Sequence, residues 1–179
     1  TRPPAERETD PIEWGHAHEA TIARRVSARY PELGKIAPSP GLLQHDTAPH
    51  VLATVDRLMV PRGVRNAPAH AVLEIKNIGL PSWRHSFKDG QPPVYYQIQV
   101  MVQLAVTGLE VGYLAVHYGG QNMQYPYRVE RDDSVIDSLL AYCEQWWADF
   151  VETKTPPPLI LADSDILTSV YPGDTELPP

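Results

Sequence analysis

The sequence predicts an α/β (α+β) layer fold, with a central mixed β-sheet flanked by helices. Three observations carry this. Two apolar, β-branched runs, residues 50–57 and 71–77, read as strands on either side of a turn-rich stretch, residues 61–68. Residues 16–30, 94–107 and 133–153 carry helical periodicity instead. Residues 111–130 alternate about Gly119-Gly120 as a hairpin does.

The two strand runs carry charge where a buried strand should carry none. Side chains alternate faces along a strand, so Glu74 and Lys76 point the same way, about 7 Å apart. Asp56 shares its face with Leu52, Thr54 and Leu58, not with Arg57. A hairpin symmetric about Arg65 sets Asp56 directly opposite Glu74, with Cβ atoms about 5 Å apart. Two carboxylates so close repel, and burying both costs several kcal/mol unless something positive sits between them. A divalent metal is the simplest candidate.

Composition narrows the rest. The chain has 179 residues, 42% hydrophobic and 21% charged, ordinary values for one domain with a real core. A net charge of −7 argues against a protein that coats nucleic acid by bulk attraction, but not against local cationic sites. Arg57, Arg62, Arg65, Arg84 and Lys88 lie near the acids in sequence, either as a basic rim or as solubilising charge. One cysteine, Cys143, excludes a disulfide framework and a Cys-ligated cluster within the chain, and reads as a core thiol compatible with a reducing cytoplasm. No apolar run is long enough to span a membrane, and no signal peptide is evident.

In chain order, residues 1–10 read as a polar lead-in, residues 11–155 as the ordered domain and residues 156–179 as a Pro-rich tail. In the helix over 16–30, Ile22, Val26 and Tyr30 form the apolar stripe; Glu19 borders it, facing either a cleft or water. His16 and His18 diverge on a helix and make a poor metal pair. Residues 31–41 read as a loop, 42–44 as a short strand and 79–93 as a second loop. That second loop carries Trp83, Arg84, His85 and Lys88, suited to nucleic-acid backbone contact or simply mobile. The helix over 94–107 stops at Gly108. Its Tyr96, Gln99 and Gln103 make one polar stripe, facing either a polar cleft or a neighbouring helix, with Gln97 on an adjacent face. Asp132 or Asp133 caps the last long helix, whose apolar side includes Ile136, Leu139, Leu140, Trp146, Trp147 and Phe150. Pro156-Pro157-Pro158 ends it, and residues 164–171 suggest one further small helix.

An Asp, then Glu-x-Lys on the next strand, then a helix bearing Gln resembles the core of the PD-(D/E)xK nucleases, a restriction-endonuclease-like fold. The likeness goes further. Trp14-Gly15 followed by Glu19, Ala53-Thr54-Val55-Asp56, Leu73-Glu74-Ile75-Lys76-Asn77, and the run from Pro93 through Gln99 to Thr107-Gly108 resemble the YqaJ-type viral recombinase family, the alkaline exonuclease group of the phage lambda type. The resemblance covers roughly residues 11–155.

The resemblance implies roles. Asp56 and Glu74, with the backbone carbonyl of Ile75, are implied to hold Mg²⁺, for which Mn²⁺ substitutes. Lys76 is implied as the catalytic lysine, and Glu19 as an extra acid for a second metal, directly or through water. Gln99 is implied to touch the scissile strand or the lysine. Gln97, Tyr96, Arg57, Arg84 and Lys88 are the implied DNA contacts. The implied activity is metal-dependent 5′-to-3′ digestion of duplex DNA in recombination, inside a bacterial or phage-infected cytoplasm. A homotrimeric ring and a single-strand annealing protein are the implied partners. The alternatives are a structure- or sequence-specific endonuclease on the same core, or a non-catalytic DNA-binding domain. One departure stands out: the family's Ser-containing segment ahead of the Trp-Gly helix has no match in residues 1–10, which suggests a trimmed N-terminus.

Overall fold

The structure, a computed structural model, describes residues 10–87 and 90–158. In chain order it comprises α1 (Asp10–Arg29), a 3₁₀ turn (Pro31–Leu33), β1 (Lys35–Ala37), β2 (Leu42–Gln44), β3 (Leu52–Thr54), β4 (Arg57–Val60) and β5 (Ala71–Ile78). Then come α2 (Leu80–Ser86), α3 (Val94–Thr107), β6 (Val111–Tyr118), β7 (Asn122–Met123), β8 (Tyr127–Glu130) and α4 (Asp133–Trp146), which widens into π-helical turns over Trp147–Glu152. The described residues up to Cys143 form one compact unit, and those from Glu144 onward belong to a second.

The main sheet runs β1-β4-β5-β6-β7, with β8 also paired to β6; β2 and β3 form a separate two-stranded sheet. β5 and β6 are parallel and all other pairs antiparallel, so the sheet is mixed as expected. A parallel pair needs a long crossover, which α2 and α3 supply. β5 is buried from Ala71 through Ile75. Val72 faces a core built with Val100, Leu104, Leu114 and Val116 on the α3 side. Ala71, Leu73 and Ile75 face a second core with Ile22, Ala23 and Val26 of α1. The Ile22–Val26 stripe therefore does what its spacing implies, though α1 begins at Asp10, ahead of the expected start.

Several expectations need correction. Residues 50–57 are not one strand: a bend at Asp56 separates β3, which pairs with β2, from β4, which pairs with β5. Asp56 therefore shares no strand face with Leu52 and Thr54. The expected hairpin symmetry survives, since Arg57, Leu58 and Met59 oppose Leu73, Val72 and Ala71, and one further step sets Asp56 against Glu74. β1 forms within the expected loop at 31–41 because β4 offers it an edge. α2 forms within the expected loop at 79–93. Pro81 suits its first turn, and Trp83 stacks on Tyr118 and Phe87 at 4.1 and 4.2 Å. Pro126 interrupts the expected strand over 121–130, leaving β7 and β8 on either side. Cys143 is half-buried rather than a core thiol. The expected helix over 164–171 lies outside the described residues.

α3 matches its expected bounds. Gly108 ends it in the left-handed conformation (φ 67°), its N–H donating to the Leu104 carbonyl at 3.0 Å. Asp132 caps α4, its carboxylate accepting from the Ser134 and Val135 N–H groups at 3.0 and 3.2 Å. Ile136 of α4 is buried, with Leu139 and Leu140 packed on the α3-side core.

α3 packs tightly on the sheet at Gly112 of β6. A Cβ there would lie 2.2 Å from Val100 Cγ1 and 3.0 Å from Val72 Cγ2. Both neighbours are β-branched and stiff. Gly112→Ala is expected to cost about 1–3 kcal/mol, seen as a lower denaturant midpoint with an unchanged slope.

Candidate active site

Glu74 lies on the central strand and is 2% exposed. A carboxylate so placed needs donors, and three side chains supply them. Its Oε1 accepts from Gln99 Nε2 at 2.7 Å and pairs with Lys76 Nζ at 2.6 Å. Its Oε2 accepts from Gln103 Nε2 at 2.6 Å. The shared face of Glu74 and Lys76 is thus as the alternation demanded. The Lys76 ammonium also sits 5.0 Å from the centre of the Tyr96 ring.

Asp56 leaves the strand direction at its bend and turns its carboxylate onto β5, where Oδ2 accepts the Ile75 N–H at 2.7 Å. Burial chiefly, then the negative charge of Glu74, pushes its pKa up to about 6. The Ile75 N–H partly offsets this, Glu19 adds to it, and Lys76 opposes it. Glu19, from α1, is ion-paired with Arg57, whose guanidinium also donates to the Asp56 carbonyl. A cleft of about 430 Å³ is lined by Glu19, Asp56, Glu74, Ile75, Lys76 and Gln99, together with Asn77 and the α1 residues Ile12, Gly15 and His16.

The residues singled out in the sequence divide cleanly. Asp56, Glu74, Ile75, Lys76, Glu19 and Gln99 converge on one cleft. Tyr96 borders it through its ring, beside Lys76; its hydroxyl pKa is pushed up to about 12, chiefly by burial and then by Tyr95, with Glu74 adding to the rise. Gln97 points elsewhere: its amide donates to the Pro92 carbonyl at 2.8 Å, and it lines a separate cavity with Tyr127 and Val129. Arg57 pairs with Glu19 and donates to the Asp56 carbonyl, and so braces α1 against the bend. Arg62 is likewise structural, reaching the Pro31 and Ser27 carbonyls at 3.1 and 2.7 Å. Arg84 is exposed on α2, and Lys88 lies outside the described residues.

Gln103, placed by the sequence on the polar stripe of α3 but given no role there, turns out to grip Glu74. It is 1% exposed. Its Nε2 donates both to Glu74 and, at 2.9 Å, to the Thr54 carbonyl, two residues before Asp56. Both partners are acceptors, which fixes the amide orientation and leaves Oε1 buried without a hydrogen bond. An orphaned acceptor costs about 1–3 kcal/mol. That cost is borne to hold the two acids in register. The signal was the stripe of Tyr96, Gln99 and Gln103, one face of α3.

The acids that line the cleft, Glu19, Asp56 and Glu74, offer hard carboxylate oxygens. This suits Mg²⁺, which keeps several waters and needs only one or two carboxylates. Among the described residues no three His, Cys, Asp or Glu side chains form a ready-made metal cluster, in keeping with the pairing of Glu19 to Arg57. The raised pKa of Asp56, set first by burial and then by the neighbouring Glu74 carboxylate, is the kind of perturbation that clusters at functional sites.

The folded protein holds the Asp56 proton to about pH 6, whereas an ordinary aspartate releases it near 3.8. The folded state therefore binds more protons across that window, and stability falls as pH rises through it. Asp56→Asn keeps an acceptor for the Ile75 N–H and removes the charge. In chelator at neutral pH it is expected to be more stable than its parent by about 1–2 kcal/mol. Thermal melts across the acid-to-neutral range check this, with the gap closing below the ordinary aspartate range.

Residues 2–110 match the YqaJ-like viral recombinase domain. The structure is similar to that of an alkaline exonuclease, LHK-Exo, from Laribacter hongkongensis, with TM-score 0.69 and 18% identity over 91% of this chain and 77% of that one. LHK-Exo in complex with dAMP gives TM-score 0.66 and 20% identity over 92% and 75% of the two chains. At these identities the likeness is one of fold, and it shows the PD-(D/E)xK-like architecture of a mixed sheet between helices. No curated protein matches the sequence. The domain match spans more than half of the chain, which therefore belongs to the YqaJ-like viral recombinase family.

Proposed function

We propose that the chain is a metal-dependent deoxyribonuclease that digests duplex DNA from its ends in the 5′-to-3′ direction. The observation that carries this is the convergence of Asp56, Glu74 and Lys76 on one cleft, with the lysine ammonium 2.6 Å from the Glu74 carboxylate. Membership of a viral recombinase family and a fold shared with an alkaline exonuclease support it.

Asp56, Glu74 and the Ile75 carbonyl would hold Mg²⁺ or Mn²⁺. Such an ion supplies Lewis-acid polarisation of the phosphate and a more acidic water when bound. Gln99 and Gln103 keep the Glu74 carboxylate fixed, so little reorganisation is needed as charge develops. Lys76, confined between Glu74 and the Tyr96 ring, orients the attacking water or offsets charge at phosphorus. In the reaction the water oxygen bonds to phosphorus and the P–O3′ bond breaks. The 3′ oxygen takes up a proton, and the products carry 5′-phosphates. Glu19, released from Arg57, is the nearest further acid for a second ion.

The same reading carries a homotrimeric ring around DNA, a single-strand annealing partner, and work in the cytoplasm of a bacterial or phage-infected cell. Among the described residues no helix is long and apolar enough to cross a membrane.

Asp56→Asn and Lys76→Ala are each expected to lower Mg²⁺-dependent digestion of linear duplex about 10²–10⁴-fold, with circular dichroism unchanged. Full activity in either variant overturns the site. A covalently closed circle should resist the wild-type protein, and a 5′ label should leave as a mononucleotide before a 3′ label does; cutting of the circle indicates an endonuclease instead. Mg²⁺ or Mn²⁺ should raise the thermal midpoint of the wild-type protein and not that of Asp56→Asn. Light scattering reports the trimer.

A further inference from the structure

A second groove, also of about 430 Å³, lies along α1 on the far side of Asn77 from the cleft. One wall carries Arg24, Arg25 and Arg29; the other is the β6–β7 turn, with His117 and Gln121. All three arginines are exposed, in a chain of net charge −7. Among the described residues none of them is paired with a carboxylate. Arg24 donates to the Thr21 hydroxyl at 3.2 Å, and Arg29 lies over the Tyr30 ring at 5.6 Å.

The groove is joined to the cleft. Asn77, which lines the cleft, accepts from His117 Nδ1 at 2.8 Å, and its amide nitrogen lies 3.4 Å from His18 Nδ1. Both histidines line the groove. At this junction Trp14, 60% exposed, stacks on His18 with ring centres 5.2 Å apart and planes 22° apart. An open aromatic platform leading into a row of exposed guanidinium groups is the chemistry that holds single-stranded nucleic acid: bases stack, and cations follow the phosphates. From His18 to Arg29 the helix rises about 17 Å, enough to follow several phosphates of one strand.

We infer that the α1 groove binds a single DNA strand adjoining the cleavage centre, with Trp14 stacking a base and Arg24, Arg25 and Arg29 taking the phosphates. The choice of DNA rests on the nuclease reading; the polyanion site rests on the groove itself. Away from its ends a duplex offers no open base face to Trp14, whereas every base of a single strand does.

The test is binding of a fluorescent 12-nucleotide oligothymidylate in chelator, where cleavage plays no part. The variant R24Q/R25Q/R29Q removes charge and keeps helix propensity. Its Kd is expected to rise about 10-fold or more, and its salt slope to fall by about 2 for three lost phosphate contacts on a single strand. Trp14→Ala is expected to weaken binding about 5-fold or more with the slope unchanged. Metal-dependent hydrolysis of a small thymidine 5′-phosphate nitrophenyl ester should be the same in the triple variant as in wild type. Unchanged Kd and slope in the triple variant overturn the inference, as does a loss confined to duplex of the same length. A wild-type protein that hydrolyses neither ester nor DNA removes the nuclease reading, yet loss of oligothymidylate binding in the triple variant still supports the groove.

Discussion

The structure turns on a buried negative charge. Glu74 sits in the middle of the central strand, among Val72, Leu73 and Ile75, where an unassisted carboxylate would be several kcal/mol out of place. Two amides from α3 and an amine from two residues along β5 surround it. Each makes sense only with the others. Without α3 the carboxylate lacks two donors, and without Glu74 the Gln99 amide and the Lys76 ammonium lose the oxygen they share, while Gln103 keeps the Thr54 carbonyl. The seating of α3 on the sheet and the integrity of the cleft are thus one requirement.

Around this centre the charges are balanced incompletely. Lys76 answers Glu74, and Arg57 answers Glu19, but Asp56 has only a backbone N–H and the distant influence of Lys76. The molecule tolerates this imbalance where water and ligand reach the cleft, and places its well-packed apolar clusters on both faces of β5 to compensate. Strain of this kind concentrates where a protein does chemistry. The placement of Arg57 adds a mechanical role: it binds α1 to the very bend that aims Asp56.

Local patterns were legible in the sequence, and long-range choices were not. The α3 bounds follow from its apolar run and Gly108, and the Asp56–Glu74 register follows from the near-symmetry of the turn between β4 and β5. The polar stripe on α3 was legible as a face, but which of its amides reach Glu74 depends on helix depth, which periodicity does not carry. Gln97, a neighbour in sequence, points into another cavity for the same reason. β1 is three residues long and exists because β4 lies beside it; nothing in Lys35-Ile36-Ala37 alone favours a strand. The break at Asp56 is invisible because β3 and β4 are both apolar and extended, and only their different partners part them. The Glu19–Arg57 pair joins residues 38 apart, beyond any pattern of spacing.

Gly112 shows how far the centre extends. It faces Val100, which lies on α3 between Gln99 and Gln103, the two residues whose amides grip Glu74. A methyl group added on β6 collides with the Val100 side chain, so the packing that seats both amides has to give. Such a substitution touches no acid, no lysine and no nucleic acid, yet it loosens the carboxylate from behind. In a screen scored by activity it would be mistaken for a lesion of the chemistry, when what it changes is the thickness of the layer beneath.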